Sequence, residues 1–146
     1  MATVFDVSKY ILEKQGALPT LKLQKLVYYA HAWSLVWDGA PLYDEEIQAW
    51  RGGPVVPALY SLHRNHVEFG ATNLTRGDSG QLTEEQRDTV DAVLKYYGHM
   101  APWELSNLTH QEAPWLKARE RAGAGPGDNS HEKILDADIY EYYSNL

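Results

Sequence analysis

The residues of this chain whose types and spacing could do chemistry are few, and most fail on spacing. His63 and His66 lie three apart and would share one face of a helix, as a metal site needs. No further ligand follows at a zinc-site spacing, so the pair reads as surface histidines. His110 with Glu112, and His131-Glu132 with Leu135, both lack the second histidine of H-E-x-x-H. Asp44-Glu45-Glu46, ahead of an apolar segment, reads as a solvated turn rather than an acid–base pair. No serine sits in a G-x-S-x-G context. In Gly123-Ala-Gly125-Pro-Gly127-Asp-Asn the third glycine of a dinucleotide fingerprint falls at Asp128, and the run reads as a flexible loop. With no cysteine there is no thiolate zinc site, Cys nucleophile or disulfide, which fits a reducing compartment. The residues thus offer no catalytic, cofactor-binding or metal set.

Three other segments have the composition of binding surfaces. In Leu21-Lys22-Leu23-Gln24-Lys25-Leu26-Val27-Tyr28-Tyr29, polar Lys22, Gln24 and Lys25 head a helix that otherwise turns apolar. One reading is a surface-exposed first turn. The other is a binding face edged by Lys22 and Lys25, three apart, with Tyr28 and Tyr29 near it. In Ala49-Trp50-Arg51-Gly52-Gly53-Pro54-Val55, Trp and Arg flank a turn whose Gly and Pro restrict the backbone. Trp and Arg are favoured interface anchors, but for Trp50 taken alone core packing is the preferred reading. Around Thr109-His110 and Pro114-Trp115, His110 reads as a buried histidine bonding a turn, in preference to a ligand or a base.

The elements that must position these segments follow from periodicity. Thr3 and Asp6 resemble a capping box that opens a helix stopped by Gly16. Pro19-Thr20 opens a second helix to about Asp38-Gly39. It is apolar nearly all round beyond Leu26 and so is the buried central helix. Ile47-Gln48-Ala49-Trp50 alternates like a short strand before the Arg51–Pro54 turn. Pro57 starts a third helix carrying Leu59, Leu62 and Val67, and residues 70–82 form a loop. Thr83-x-x-Gln86 caps a helix with Val90, Val93, Leu94 and Tyr97 on one face, ended by Gly98. Pro102 and Pro114 begin short helices, and a last one runs from Asp136 to about Asn145 with Ile139, Tyr140 and Tyr143 on one side. The fold expected is mainly α: a single compact helical domain over 1–146 with at most a small β-hairpin or short sheet.

Charge and composition narrow the partners. The formal net charge is −7, and residues 81–146 carry −6 of it, which argues against nucleic acid. The longest apolar run, Leu26 to Trp37, is too short to span a bilayer, and no signal peptide opens the chain. Ten Tyr and five Trp stand against two Phe. Tyr and Trp join apolar area to a hydrogen-bonding tip, as wet-edged cores and protein interfaces require.

In combination the segments resemble the Panacea domain family, the SocA-like antitoxins that include phage-associated GepA-type proteins. The resemblance runs in order through Asp6-Val-x-x-Tyr10-Ile-Leu, Leu21-Lys22-Leu23-Gln24-Lys25-Leu26-x-Tyr28-Tyr29 and Gly39-x-Pro41-Leu42-Tyr43. It continues through Ala49-Trp50, Gly53-Pro54-Val55, Tyr60, Thr109-His110 and Pro114-Trp115. It implies a cytoplasmic antitoxin that binds and blocks a toxin protein encoded nearby, with no catalysis, cofactor, nucleic acid or membrane involved. A proteolytic adaptor that delivers the toxin to a protease, and a phage counter-defence protein, are the alternatives within the resemblance. An enzyme using His110 as base is a reading outside it. The family pattern starts within the first ten residues, so no appended DNA-binding module is expected. The partner-binding face expected is Lys22, Gln24, Lys25, Tyr28, Tyr29, Trp50, Arg51 and Tyr60. Gly53, Pro54, Val55, His110 and Trp115 are expected to be structural.

Overall fold

The computed structural model describes residues 1–146 and is built round one helix. It has seven α-helices and two small antiparallel sheets of two strands each. Helix α1 (Val4–Gln15) starts at a true capping box: the Asp6 amide donates to Thr3 Oγ1 at 3.2 Å and the Thr3 amide to Asp6 Oδ2 at 2.8 Å. It stops at Gly16, whose φ of 80° suits a residue without a Cβ. Strand β1 (Leu18–Pro19) follows and pairs with the distant β4 (Glu68–Phe69), a sheet with no signal in the sequence.

Helix α2 (Thr20–Trp37) is the axis of the fold, with Leu23 through Ala32 buried without interruption. It packs on α1, on α4 (Glu84–Tyr97), α5 (Pro102–Thr109) and α7 (Asp136–Ser144), and on strand β3 (Gly53–Val55). Being enclosed on every side explains its lack of amphipathic patterning. Strand β2 (Gln48–Trp50) forms a hairpin with β3, pairing Gln48 with Val55 and Trp50 with Gly53. Its outer edge is covered by residues 132–134, through Ala49 N to Glu132 O at 2.8 Å and Ile134 N to Ile47 O at 2.8 Å.

Helix α3 (Pro57–His63) is shorter than the apolar spacing implied: Val67 lies beyond it and is 88% exposed. Helix α6 (Ala113–Arg121) carries Pro114 in its first turn. On α7, Ile139 and Tyr143 are buried while Tyr140 turns to solvent. Residues 70–82 hold two short 3-10 turns, at Ala71–Asn73 and Ser79–Gln81. No helix is long and apolar enough to cross a membrane.

The tyrosine excess has a structural use. Tyr29 and Tyr143 both donate to buried Glu112 Oε1 at 2.7 Å, Tyr28 and Tyr143 share a hydrogen bond at 3.0 Å, and Tyr29 stacks on Tyr97. Burial raises the Glu112 carboxyl, and the two phenol donors oppose that rise. A phenol allows a ring to pack in the core and still satisfy a buried acceptor, which Phe cannot do.

The cap of α4 gives a small test of this local reading. The Gln86 amide donates to Thr83 Oγ1 at 3.1 Å and the Thr83 amide to Gln86 Oε1 at 2.9 Å. Thr83→Ala is expected to cost about 1 kcal/mol, visible as a drop of a few degrees in thermal unfolding followed by circular dichroism.

Candidate functional site

The candidate site is the β2–β3 hairpin and what lies beneath and around it. At the surface, Arg51 and Gly52 form the exposed tip. Trp50 is half-buried, donates Nε1 to Gln48 Oε1 at 2.8 Å and meets the exposed Tyr60 ring edge to face at 4.9 Å between centroids. His131 also flanks Trp50, at 5.1 Å between ring centroids. A cleft of about 140 Å³ runs between Trp50, Arg51, Gly52 and residues 129–131.

Two anchors hold the hairpin from behind. Trp115 Nε1 donates to Trp50 O at 2.8 Å. Arg119, 3% exposed, donates to Ala49 O at 3.1 Å, Gly125 O at 2.8 Å and Asp128 O at 2.6 Å. The guanidinium thereby closes the Gly123–Asp128 loop on its own carbonyls and binds it to the strand. A fixed fork of donors suits three carbonyls at once. Sequence reasoning passed over Arg119, because nothing local distinguishes it from a surface arginine on an otherwise polar helix.

Beneath the hairpin lies the largest departure from expectation. Gln24, Lys25, Tyr28 and Tyr29 are at most 2% exposed, so none of them edges a surface; in the first turn of α2 only Leu21 is exposed, with Thr20 and Lys22 half-buried. The placement of these four on an outer binding face is corrected by the packing of β3 and α5 over α2. Gln24 instead clamps the chain after β3: Val56 N donates to its Oε1 at 2.8 Å and its Nε2 donates to Val56 O at 3.3 Å. Its Nε2 also lies 2.9 Å from His63 Nε2, and His63 is buried at 3% exposure, correcting its expected surface position.

Lys25 donates to Pro54 O at 3.1 Å and has no carboxylate within ion-pair distance. Its full burial pulls the ammonium down to about 7. The chain can cross directly above it because residue 53 is glycine. A Cβ there would lie 2.5 Å from Lys25 Cε and 2.9 Å from Thr109 Oγ1, and its φ of 122° disfavours any side chain.

His110 stacks on Trp115 at 4.2 Å, and its Nε2 is buried with no hydrogen-bond partner. Burial, with Lys25 next in effect, lowers its basicity; the backbone of Arg51 and Gly52 partly opposes this. The structure therefore brings Trp50, Arg51 and Tyr60 together at one exposed place, over a support made of Lys25, Gly53, Pro54, Val55, His110 and Trp115. Lys22 is half-buried in the first turn of α2. No group of three or more His, Cys, Asp or Glu is arranged to hold a metal ion.

Comparison with known proteins bears on this arrangement. The family described as Antitoxin SocA-like, Panacea domain matches residues 23–116, a span that includes α2 from Leu23 onward, the hairpin, His110 and Trp115. The chain is also 29% identical over 138 residues to Antitoxin SocA of Caulobacter vibrioides (strain NA1000 / CB15N), covering 84% of this chain and 71% of that protein. No solved structure matches. With the family match extending over more than half of its length, the chain belongs to the Antitoxin SocA-like, Panacea domain family.

Proposed function

We propose that this protein is an antitoxin that neutralises a toxin protein by binding it directly, without catalysis, in the cytoplasm. The family membership and the curated antitoxin relative support the antitoxin role. The observation that carries direct binding is the hairpin face. Trp50, Arg51 and Tyr60 are exposed or half-buried, yet the strand and the helix start that carry them are pinned at Ala49, Trp50 and Val56 by Arg119, Trp115 and Gln24. A rigid Trp/Arg/Tyr patch loses little entropy on association and has the composition of an interface centre. Lys22 belongs to the same proposal as a flanking contact.

The partner is a toxin encoded beside this chain. Arg51→Glu alters an exposed side chain and should leave stability within about 0.5 kcal/mol of wild type, whereas Tyr60→Ala also removes a ring packed on Trp50 and His63 and should cost about 1–2 kcal/mol while the chain still folds. Each is expected to weaken the complex at least tenfold by isothermal titration and to abolish rescue of growth in cells expressing the toxin. Full rescue by both folded variants would remove this face. The same cells separate masking from delivery to a protease. Masking leaves the toxin at its unneutralised level, whereas an adaptor lowers it only where the protease is intact.

A further inference from the structure

A second surface, unrelated to the hairpin, has the form of a docking groove. The last turns of α2 and the outer face of α4 leave between them a groove of about 650 Å³, lined by Trp33, Trp37, Ala92, Tyr96, Tyr97 and Leu146, with Lys95 at its margin. Trp37 is 52% exposed and Tyr96 66% exposed; of the five aromatics that the chain leaves open to water, these two line one groove. The floor is ordered: Trp33 stacks on Trp37 at 4.8 Å and donates Nε1 to Tyr97 Oη at 3.0 Å. The groove is thus preformed rather than a gap between loose side chains.

Its rim decides what can fill it. Trp37 also lines an adjoining depression formed by Asp38, Glu85, Asp88 and Thr89. Glu85, Asp88, Ala92 and Lys95/Tyr96 follow one exposed stripe of α4, so the acidic end and the aromatic end form one continuous strip. Asp38 is braced by Thr89 Oγ1, which donates to it at 2.7 Å. Three carboxylates crowd one end and a single lysine stands at the other. A second copy of this chain fits poorly, because an isologous contact would bring the acidic rims of both copies together with only Lys95 of each to offset them.

We propose that this groove takes a cationic segment of the toxin partner, with an aliphatic or aromatic anchor between Trp37 and Tyr96 and Lys or Arg side chains on Asp38, Glu85 and Asp88. The identity of the partner rests on the antitoxin reading; the chemistry of the groove does not. Lys25, under the hairpin, and Trp37 are separated along α2 by roughly 18 Å at 1.5 Å per residue.

The test uses the intact chain and a synthetic 14-residue amphipathic peptide with Leu at helical spacing and Lys between. Its counterpart carries Glu for every Lys. In indole N–H spectra the Lys peptide is expected to shift Trp33 and Trp37 saturably and to leave Trp50, Trp103 and Trp115 in place. Glu85→Lys with Asp88→Lys is expected to weaken binding at least tenfold, and Trp37→Ser to abolish it, with thermal unfolding confirming that each variant folds. Equal binding of the Glu peptide, shifts spread over all five indoles, or a loss under threefold in the charge-reversed variant overturns the proposal. A dimer that dissociates in Trp37→Ser overturns it as well, in favour of self-association. The toxin separates the two readings. If wild type and Trp37→Ser rescue growth equally, the groove is not the toxin's contact and the antitoxin reading stands. If wild type gives no rescue, the antitoxin reading falls and the peptide titration alone decides the groove.

Discussion

Gly53→Ala is expected to destabilise the fold by roughly 3 kcal/mol or more, while Gly52→Ala, one residue away, should fall within about 0.5 kcal/mol of wild type. At position 53 a Cβ would lie 2.5 Å from Lys25 Cε and 2.9 Å from Thr109 Oγ1, on a backbone with φ of 122°. The clash and the backbone strain add, and the neighbours are enclosed. At position 52 a Cβ meets nothing within 4 Å, and that residue does not have the positive φ of Gly53. Urea unfolding of the two variants side by side measures the contrast. Equal midpoints would show that the hairpin does not close on Lys25. Because Trp50 pairs with Gly53 across the hairpin, the same change should also disturb the proposed toxin-binding face.

The second large effect is a pH dependence. Lys25 titrates at about 7 in the folded chain, because burial opposes its charge. In the unfolded chain a lysine titrates near 10.4. Between these values the unfolded state holds a proton that the folded state has released. Folding stability therefore rises with pH across the window, and below pH 7 that contribution is absent. The limiting slope for one such group is about 1.4 kcal/mol per pH unit. Lys25→Met retains most of the side-chain volume and removes the titration. Chemical denaturation of both proteins from pH 6 to 9.5 should show wild type gaining on the variant by several kcal/mol over the upper part of the range. Parallel curves would mean that Lys25 is solvated in the folded state. The window stops short of the tyrosines, since Tyr10 and Tyr97 titrate at about 12 and Tyr28, Tyr43 and Tyr143 are pushed well above their ordinary value.

Local signals in the sequence were sufficient wherever the interaction is itself local. The Thr3 and Thr83 caps, the Gly16 stop and the prolines opening α3 and α5 all connect residues within four positions of one another. The hairpin turn at Arg51–Pro54 is of the same kind. Pairing at long range left no such trace. Strands β1 and β4 are two residues each and lie about fifty residues apart, too short for any alternation to register.

The candidate site divides along the same line. Trp50 and Arg51 were legible at a turn because residue type and turn chemistry sit in one stretch of sequence, and the fold sets exposed Tyr60 beside Trp50. Lys25 was not legible as a core residue. A lysine in the first turns of a helix reads as exposed, and only β3 crossing over it at Gly53 removes it from water. The groove at Trp33, Trp37 and Tyr96 is equally invisible in sequence, since its two walls belong to helices whose nearest residues are far apart in the chain.

The sequence by itself therefore determined the mainly helical class, the central position of α2, the lack of thiol chemistry and the family resemblance. Each of these depends on composition or on short-range spacing. Tertiary structure alone decided which polar residues face water. Gln24, Lys25, His63, Glu112 and Arg119 are buried, and each has found a carbonyl, phenol, imidazole or amide partner from a distant segment. The physical reason is that burial of a polar group is tolerated only where such partners converge, and that convergence is a property of the assembled fold.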